Sequence, residues 1–202
     1  PIPPHLQEAY KDLKYKKGDF PIAEELALTS LKNTHSILES LSRKPILKVI
    51  EDHLGVVKGH IETVHSYTND QNLLDNMHIK NRRGRSAAVN MVITETGAGK
   101  AVTKAIPSLE SKLTANAVRV PTPNGSLAIL SLELNKETSV EHMNSVIKNA
   151  ALNGELVNQI FYSFDPELVS SDIIGNTCCS VYDSNATIVS KNGKNIVLYT
   201  WY

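Results

Sequence analysis

A strand is predicted for Val56-Val-Lys-Gly-His-Ile-Glu-Thr-Val-His65-Ser-Tyr67, a run rich in apolar and β-branched residues that ends in a polar segment, Thr68-Asn-Asp-Gln71. His65 lies near the end of this strand, and imidazole is the side chain best suited to move protons near neutral pH. A structural histidine is the alternative interpretation. The hydroxyl, carboxylate and amide groups that follow favour proton transfer beside a bound anion.

The segments around this strand predict the rest of the fold. A helix over residues 45–54 is indicated by apolar residues at helical spacing, and Gly55 follows as its C-cap. Residues 126–134 predict a buried strand, and Thr138-Ser-Val-Glu141 predicts a capping box before an amphipathic helix. Two further strands are predicted around the turn Lys191-Asn-Gly-Lys194.

The order of these elements predicts an α+β fold. Strands and helices do not alternate strictly, as they do in doubly wound parallel sheets. We therefore expect a mixed, largely antiparallel sheet with helices on one face, preceded by a helical N-terminal extension.

Arginines are concentrated in Asn81-Arg-Arg-Gly-Arg85, a loop-like segment. Guanidinium groups bind phosphate and carboxylate oxygens in bidentate fashion. A solvated basic turn is the alternative for any one of them.

A second anion-binding feature is predicted where Thr94-Glu-Thr96-Gly97 precedes a helix expected over Ala98 to Leu109. Free backbone N–H groups at a helix start, together with a Thr hydroxyl, suit an anion. A nucleotide phosphate loop is excluded, because Thr94 occupies the position that requires Gly, and Ala101 occupies the position that requires Ser or Thr.

Arg119 lies in Asn116-Ala-Val-Arg-Val-Pro121, an alternating strand pattern. Alternation places Arg119 on the face opposite Val118 and Val120. From the pattern alone we expect an exposed strand arginine.

Cys178 and Cys179 are adjacent in a strand-like run. Neighbouring Cα atoms are about 3.8 Å apart, which is shorter than a disulfide normally spans. We expect both to be reduced, half-buried and not catalytic.

Composition excludes several classes of protein. Basic and acidic side chains balance at 21 each, and no basic stripe with interleaved aromatics is present, so nucleic acid is not expected as a partner. No long apolar segment predicts a membrane span. Reduced cysteines and the lack of a signal-like segment predict a cytoplasmic location.

Several of these strings resemble the catalytic domain of phosphorylating glyceraldehyde-3-phosphate dehydrogenases, over about residues 45–202. The resemblance rests on motifs in the same order along the chain: His65-Ser-Tyr-Thr-Asn-Asp-Gln71, Arg82-Arg-Gly-Arg85, Thr96-Gly-Ala-Gly-Lys-Ala-Val102, Arg119-Val-Pro-Thr-Pro-Asn124, Ser170-Ser-Asp172, Asp183-Ser-Asn-Ala-Thr187 and Tyr199-Thr-Trp-Tyr202.

The resemblance implies a role for each matching residue. His65 matches the histidine that activates the nucleophile, orients the substrate carbonyl and takes up a proton. The pocket for the substrate phosphate matches Thr68, Asp70 and Arg119, and the pocket for inorganic phosphate matches Thr96, Gly97 and Arg83. Residues from about 69 to 85 match the loop that lines the neighbouring subunit's cofactor site in the family.

The chain also departs from the family pattern. Counting back from Pro45, the position of the nucleophilic cysteine is Leu38, whose hydrocarbon side chain cannot form a thioester. Residues 1–25 resemble a C-terminal fragment of PLP-dependent nucleotide-sugar aminotransferases, and 26–44 read as a helical junction. We expect a chimera that has no NAD-binding domain and whose dehydrogenase part lacks its C-terminal helix.

These features leave three interpretations of function. The first is a domain for NAD-dependent oxidation of glyceraldehyde 3-phosphate with phosphate, inactive as this chain and not binding NAD by itself. The second is a non-catalytic module that holds phosphate or joins subunits in a homo- or mixed oligomer. The third is a chimeric chain without a selected function.

Overall fold

A computed structural model of the protein describes residues 45–202, and of these the side chains of all except residues 98–101. The described part lies within one unit, residues 40–202. The predictions for the aminotransferase-like segment, for the junction and for Leu38 lie outside the described residues.

The described elements follow one another in an order that mixes strands and helices. They are α1 (residues 45–54), β1 (Val56–Ser66), β2 (Val92–Thr94), α2 (Ala98–Ala105), β3 (Leu113–Val120), β4 (Leu127–Leu134), α3 (Val140–Leu152), β5 (Ile160–Ser163), β6 (Ser180–Asp183), β7 (Ile188–Val189) and β8 (Asn195–Trp201). Short 3₁₀ turns lie at Asn81–Gly84, Pro107–Leu109 and Ser170–Ile173. Within residues 45–202, no helix is both long enough and apolar enough to cross a membrane.

All the strands belong to one sheet, in the order β2-β3-β1-β4-β8-β6-β5, with β7 paired to β8. The β1–β3 and β5–β6 pairs are parallel, and the other pairs are antiparallel. This confirms the predicted α+β class with a mixed, largely antiparallel sheet.

The hydrophobic core lies on one face of the sheet, which we call the inner face. Ile61, Leu130 and Leu198 are register neighbours on β1, β4 and β8, and all three are fully buried. They belong to one cluster with buried residues of the helices, among them Ile50 and Ile147. Alternation along each strand then directs the intervening side chains to the opposite, outer face.

The helix ends follow local chemistry. Gly55 adopts φ +66°, and its N–H donates to the carbonyls of Ile50 and Glu51, which closes α1 as predicted. The start of α3 differs from the prediction by one residue. The N-cap is Ser139 rather than Thr138, because the Ser139 hydroxyl accepts the His142 N–H at 3.2 Å.

Three other predictions need correction. Residues 127–134 are buried on alternate positions rather than throughout, since helices cover only the inner face. The helix expected to reach Leu109 ends at Ala105, and a 3₁₀ turn starts at Pro107, whose ring disfavours continuing a helix. Cys178 and Cys179 lie in a bend before β6 rather than in a strand.

Candidate functional site

The candidate site lies where β1 and β3 end. These two strands are parallel, so their C-terminal ends meet at the same edge of the sheet. His65 and Arg119 are register neighbours there, and both side chains occupy the inner face with Thr63 and Ala117. The topology thus places an imidazole beside a guanidinium at one end of the core.

Arg119 is not the exposed strand residue that the alternating pattern predicted. It is only 9% exposed and shares its face with buried Ala117, whereas Val118 and Val120 are half-buried on the outer face. The alternation was predicted correctly, but the prediction put Val118 and Val120 on the core face, whereas Arg119 lies on it. A buried guanidinium requires acceptors, and these are provided by the neighbouring strand.

His65 is 5% exposed, and its Nδ1 atom lies at the centre of a close polar group. Nδ1 is 2.6 Å from the carbonyl oxygen of Ser66 and 2.5 Å from Nη1 of Arg119. The same Nη1 donates to the Ser66 carbonyl at 3.0 Å. The ring of Tyr202 meets the imidazole edge-on, with centroids 6.2 Å apart. Burial and these contacts fix the orientation of the imidazole.

Thr68 is held in a turn directly after β1. The Gln71 N–H donates to the Thr68 carbonyl at 2.9 Å, and the Gln71 side-chain oxygen faces the Thr68 N–H at 3.4 Å. Gln71 itself is buried. Its position in the polar segment marked it as a nearby amide, but the sequence did not show that it braces the turn carrying Thr68.

Arg83 is not a solvated turn residue. Its Nε and Nη2 atoms donate to the Thr94 hydroxyl at 3.0 and 2.8 Å, and its Nη1 atom pairs with the Asp70 carboxylate. The side chain is 12% exposed. Asp70 and Arg83 were assigned to two different phosphate pockets, whereas the structure joins them in one ion pair. A carboxylate repels phosphate oxygens, so Asp70 would act through Arg83.

Thr96 and Gly97 precede α2 directly, and Gly97 is its N-cap residue. Register places Val92 opposite Arg119 and Thr94 opposite Ala117, so β2 carries the chain away from Arg119 towards Thr96. At about 3.4 Å per residue, Thr94 lies about 7 Å along this direction from the Arg119 position, and Thr96 and Gly97 follow after β2 has ended. The register thus directs this segment away from the Arg119 end of β3.

The two cysteines lie apart from the imidazole. Val64, Leu127, Trp201 and Val181 form one row across β1, β4, β8 and β6. Three strand spacings of about 4.8 Å put the start of β6, which Cys179 precedes, about 14 Å from the end of β1. Both thiols are free and half-buried, as predicted. Burial, and then the neighbouring Cys179, raise the pKa of the Cys178 thiol.

The Gly97-Ala-Gly99 segment does not fit the dinucleotide fingerprint, and residues 45–202 contain no candidate metal cluster. The Gly97-Ala-Gly99 segment follows β2, but β2 is a short edge strand paired antiparallel to β3, not part of a parallel β-α-β unit. The position of the third glycine in that fingerprint is Val102, which is fully buried. No group of three or more His, Cys, Asp or Glu within residues 45–202 could hold a metal ion.

Fold and site together define an α+β domain that carries a buried histidine–arginine pair and an arginine-rich loop suited to anions. The family model described as glyceraldehyde 3-phosphate dehydrogenase, C-terminal domain, matches residues 40–202. The chain therefore belongs to this family, which uses NAD.

Three relatives show the extent of the similarity. A glyceraldehyde-3-phosphate dehydrogenase-like protein of Pseudomonas aeruginosa is 52% identical over 158 residues, covering 78% of this chain and 34% of the relative. The glyceraldehyde-3-phosphate dehydrogenases of Geobacillus stearothermophilus and Streptomyces coelicolor are 46% and 43% identical, covering 78% of this chain and 46% of each relative. The chain thus spans between a third and a half of these relatives.

Proposed function

We propose that residues 45–202 are the phosphate-handling half of a phosphorylating glyceraldehyde-3-phosphate dehydrogenase, and that this chain binds the sugar phosphate without turning it over. The observation that carries the proposal is the His65–Arg119 pair, buried at the joint end of two parallel strands. A guanidinium there provides fixed positive charge for a phosphate, and the imidazole next to it is placed to exchange a proton with a carbonyl group.

Each remaining site residue contributes to binding in this proposal. The Thr68 hydroxyl complements Arg119 at the substrate phosphate, on the turn that Gln71 braces. Thr96, Gly97 and Arg83 hold the inorganic phosphate near the far end of β2, with Arg83 oriented by Asp70. Two separate anion sites suit a reaction in which a phosphate attacks a substrate that already carries one.

The absence of turnover rests on Leu38. Oxidation of an aldehyde to an acyl phosphate through a thioester requires a thiolate that attacks the carbonyl carbon. Leucine offers no lone pair, and the cysteines at 178 and 179 lie about three strand spacings from the histidine. The Gly97-Ala-Gly99 segment lacks the parallel β-α-β context of a dinucleotide site, so no hydride step is assigned to it.

Binding and turnover are tested separately with the full chain. Calorimetric titration with glyceraldehyde 3-phosphate should show saturable binding, whereas glyceraldehyde, which lacks the phosphate, should show none. Equal behaviour of the two compounds would contradict the proposed phosphate sites. With NAD and phosphate added, NADH formation should not exceed that of a His65→Asn variant, and a faster rate would contradict the inactive assignment.

A second candidate function is subunit association, favoured by the loop between β1 and β2. Met77 and Ile79 are 95% and 96% exposed, and Leu74 is 80% exposed. Large apolar side chains that are this exposed mark interaction surfaces when they cluster. The test is co-purification with a full-length dehydrogenase. Met77→Lys with Ile79→Lys should abolish it, and retention by this variant would contradict the candidate.

A further inference from the structure

We propose that Asn153 is a modification site, at which the side-chain amide is lost by ring closure with the backbone of Gly154. Asparagine is a thermally labile side chain, and a following glycine leaves its side-chain carbon most open to attack by the backbone. Glycine follows asparagine at three places in the chain, which are Asn124-Gly125, Asn153-Gly154 and Asn192-Gly193. Fast loss of the amide is expected at the second pair only. The proposal does not depend on the phosphate sites.

The reaction requires a backbone nitrogen that can reach the side chain. The nitrogen of the glycine attacks Cγ of the asparagine, so that an N–Cγ bond forms and the Cγ–Nδ2 bond breaks. Ammonia leaves with the proton of the attacking nitrogen. Water then opens the cyclic imide at one of its two carbonyls, which gives aspartate or isoaspartate. A nitrogen held by a hydrogen bond, or a peptide that cannot rotate, slows the first step.

The turn at Asn192 holds its backbone nitrogen in place. The Gly193 N–H donates to the Ser190 carbonyl at 2.8 Å, and the Gly193 carbonyl accepts the Thr138 N–H at 2.9 Å. The Asn192 side-chain oxygen accepts the Ser190 hydroxyl at 2.6 Å and the Lys194 N–H at 3.1 Å. Ring closure here requires these bonds to break, so it should be slow.

The turn at Asn124 is held in a similar way. The Gly125 N–H donates to the Asn124 side-chain oxygen at 2.8 Å. The next residue, Ser126, exchanges two backbone hydrogen bonds of 2.9 Å with Tyr202. A Cβ atom on Gly125 would lie 2.8 Å from the Ser170 carbonyl oxygen, so the peptide has little space in which to rotate. Ring closure should be slow here too.

Asn153 differs in each of these respects. It is the exposed C-cap residue of α3, and Gly154 follows it with φ +90°. Within residues 45–202, no acceptor faces the Gly154 N–H, and a Cβ atom on this glycine would meet nothing within 4 Å. The Asn153 side chain is held by a hydrogen bond from Nδ2 to Asn149 Oδ1 at 2.9 Å. The peptide can therefore rotate until its nitrogen meets Cγ.

Loss of the amide places a carboxylate at the end of α3. The C-terminal end of a helix carries partial negative charge, so a negative side chain there is unfavourable. The hydrogen bond from Nδ2 to Asn149 is lost in the same reaction. Because α3 contributes Met143 and Ile147 to the core, the product should be less stable than the unmodified chain.

Peptide mapping of the full chain tests the site. The protein is incubated at pH 8 and 37 °C, digested at low pH, and analysed over time by mass spectrometry for aspartate and isoaspartate at each pair. We expect the products at Asn153 to accumulate several-fold faster than those at Asn124 or Asn192. Equal rates at the three pairs, or a faster rate at either of the other two, would overturn the proposal.

Incubation in urea separates the effect of the structure from that of the local sequence. All three asparagines precede glycine, so their rates should become similar once the chain is unfolded. If Asn153 kept the same advantage in urea, the neighbouring residues rather than the turns would decide the rate, and the structural argument would be wrong.

A variant pair tests the consequence for stability. Asn153→Asp should unfold at a lower urea concentration than Asn153→Gln, which keeps a neutral amide at the same position. A lower midpoint supports the predicted weakening of α3, and equal midpoints overturn it.

Discussion

β1 carries two histidines that both face β3, and their surroundings differ in almost every respect. His60 is opposite Thr114 on the outer face, where its ring nitrogens contact the Thr114 hydroxyl and the Asn116 side chain at 2.7 Å. His65 is opposite Arg119 on the inner face, and is almost fully buried beside a fixed charge. Two histidines five positions apart on one strand are therefore a surface residue and a buried residue beside a guanidinium.

The difference arises from the sheet rather than from the histidines. The two histidines are five positions apart, and an odd offset along a strand points side chains to opposite faces. The inner face is covered by helices, and the parallel pairing of β1 with β3 brings a second functional side chain to the same strand end. The outer face near His60 offers the Thr114 hydroxyl, the Asn116 amide and the Glu62 carboxylate, with access to water.

The largest difference between the two faces is expected in the free energy of unfolding of β4 variants. Leu130→Ala, on the inner face, should lower the free energy of unfolding by about 2–5 kcal/mol, because it leaves a cavity in a fully buried cluster. Ile129→Ala, one residue away and half-buried on the outer face, should cost about 1 kcal/mol or less. Urea unfolding measures both. Similar losses for the two variants would mean that the faces do not differ as described.

The second largest effect is expected in the affinity for a phosphate ligand, which should depend on the surroundings of His65 and not on His60. Arg119→Gln removes a charge-assisted bond of about 1.5–3 kcal/mol, so affinity should fall about 10- to 100-fold. His60→Gln should change it less than about twofold, since His60 lies on the other face. Calorimetry with glyceraldehyde 3-phosphate provides the comparison, and an equal loss in the two variants would place its phosphate elsewhere.

Substitution of Asp70 should change the phosphate affinity less than substitution of Arg119, and in the opposite direction. Its carboxylate neutralises part of the Arg83 charge, so Asp70→Asn should raise phosphate affinity about two- to fivefold, or about 0.5–1 kcal/mol. Asp75→Asn, at an exposed carboxylate paired with Arg85, is the matched control. A lower affinity in Asp70→Asn would show that the carboxylate matters more for holding Arg83 than for its charge.

The smallest effect on the free energy of unfolding is expected for an ion pair on the outer face. Lys58 on β1 and Glu133 on β4 form an exposed ion pair at 3.2 Å. Exposed pairs contribute little after screening and side-chain entropy, so Lys58→Gln should change the free energy of unfolding by about 0.5 kcal/mol or less. A loss above 1 kcal/mol in the same urea experiment would reveal a larger role for this face.

Sequence reasoning predicted the fold class and most elements because these depend on local patterns. Helical spacing and Gly55 identified α1, an apolar and β-branched run identified β1, and alternation identified β3. The face of Arg119 could not be predicted, because Val118 and Val120 look more like core residues than Ala117 does. The side that helices cover is decided by the whole sheet.

The site was predicted in part for similar reasons. Motifs drew attention to His65, Thr68, Asp70, Arg83, Thr96, Gly97 and Arg119 as single residues. Their grouping depends on strand register and loop contacts: Arg119 joins His65, Arg83 joins Asp70, and Thr96 with Gly97 follows the end of β2. The contacts by which Gln71 holds the turn at Thr68 could not be predicted from the sequence pattern.

The most direct test is a residue-resolved NMR titration of the full chain with glyceraldehyde 3-phosphate, following the backbone amides of β1, β3 and the loop after β1. The account predicts saturable shifts at Thr68 and Arg119, while His60 and Thr114 stay unchanged. Saturable shifts at His60 and Thr114 without shifts at Thr68 and Arg119 would contradict it, as would the absence of any saturable shift.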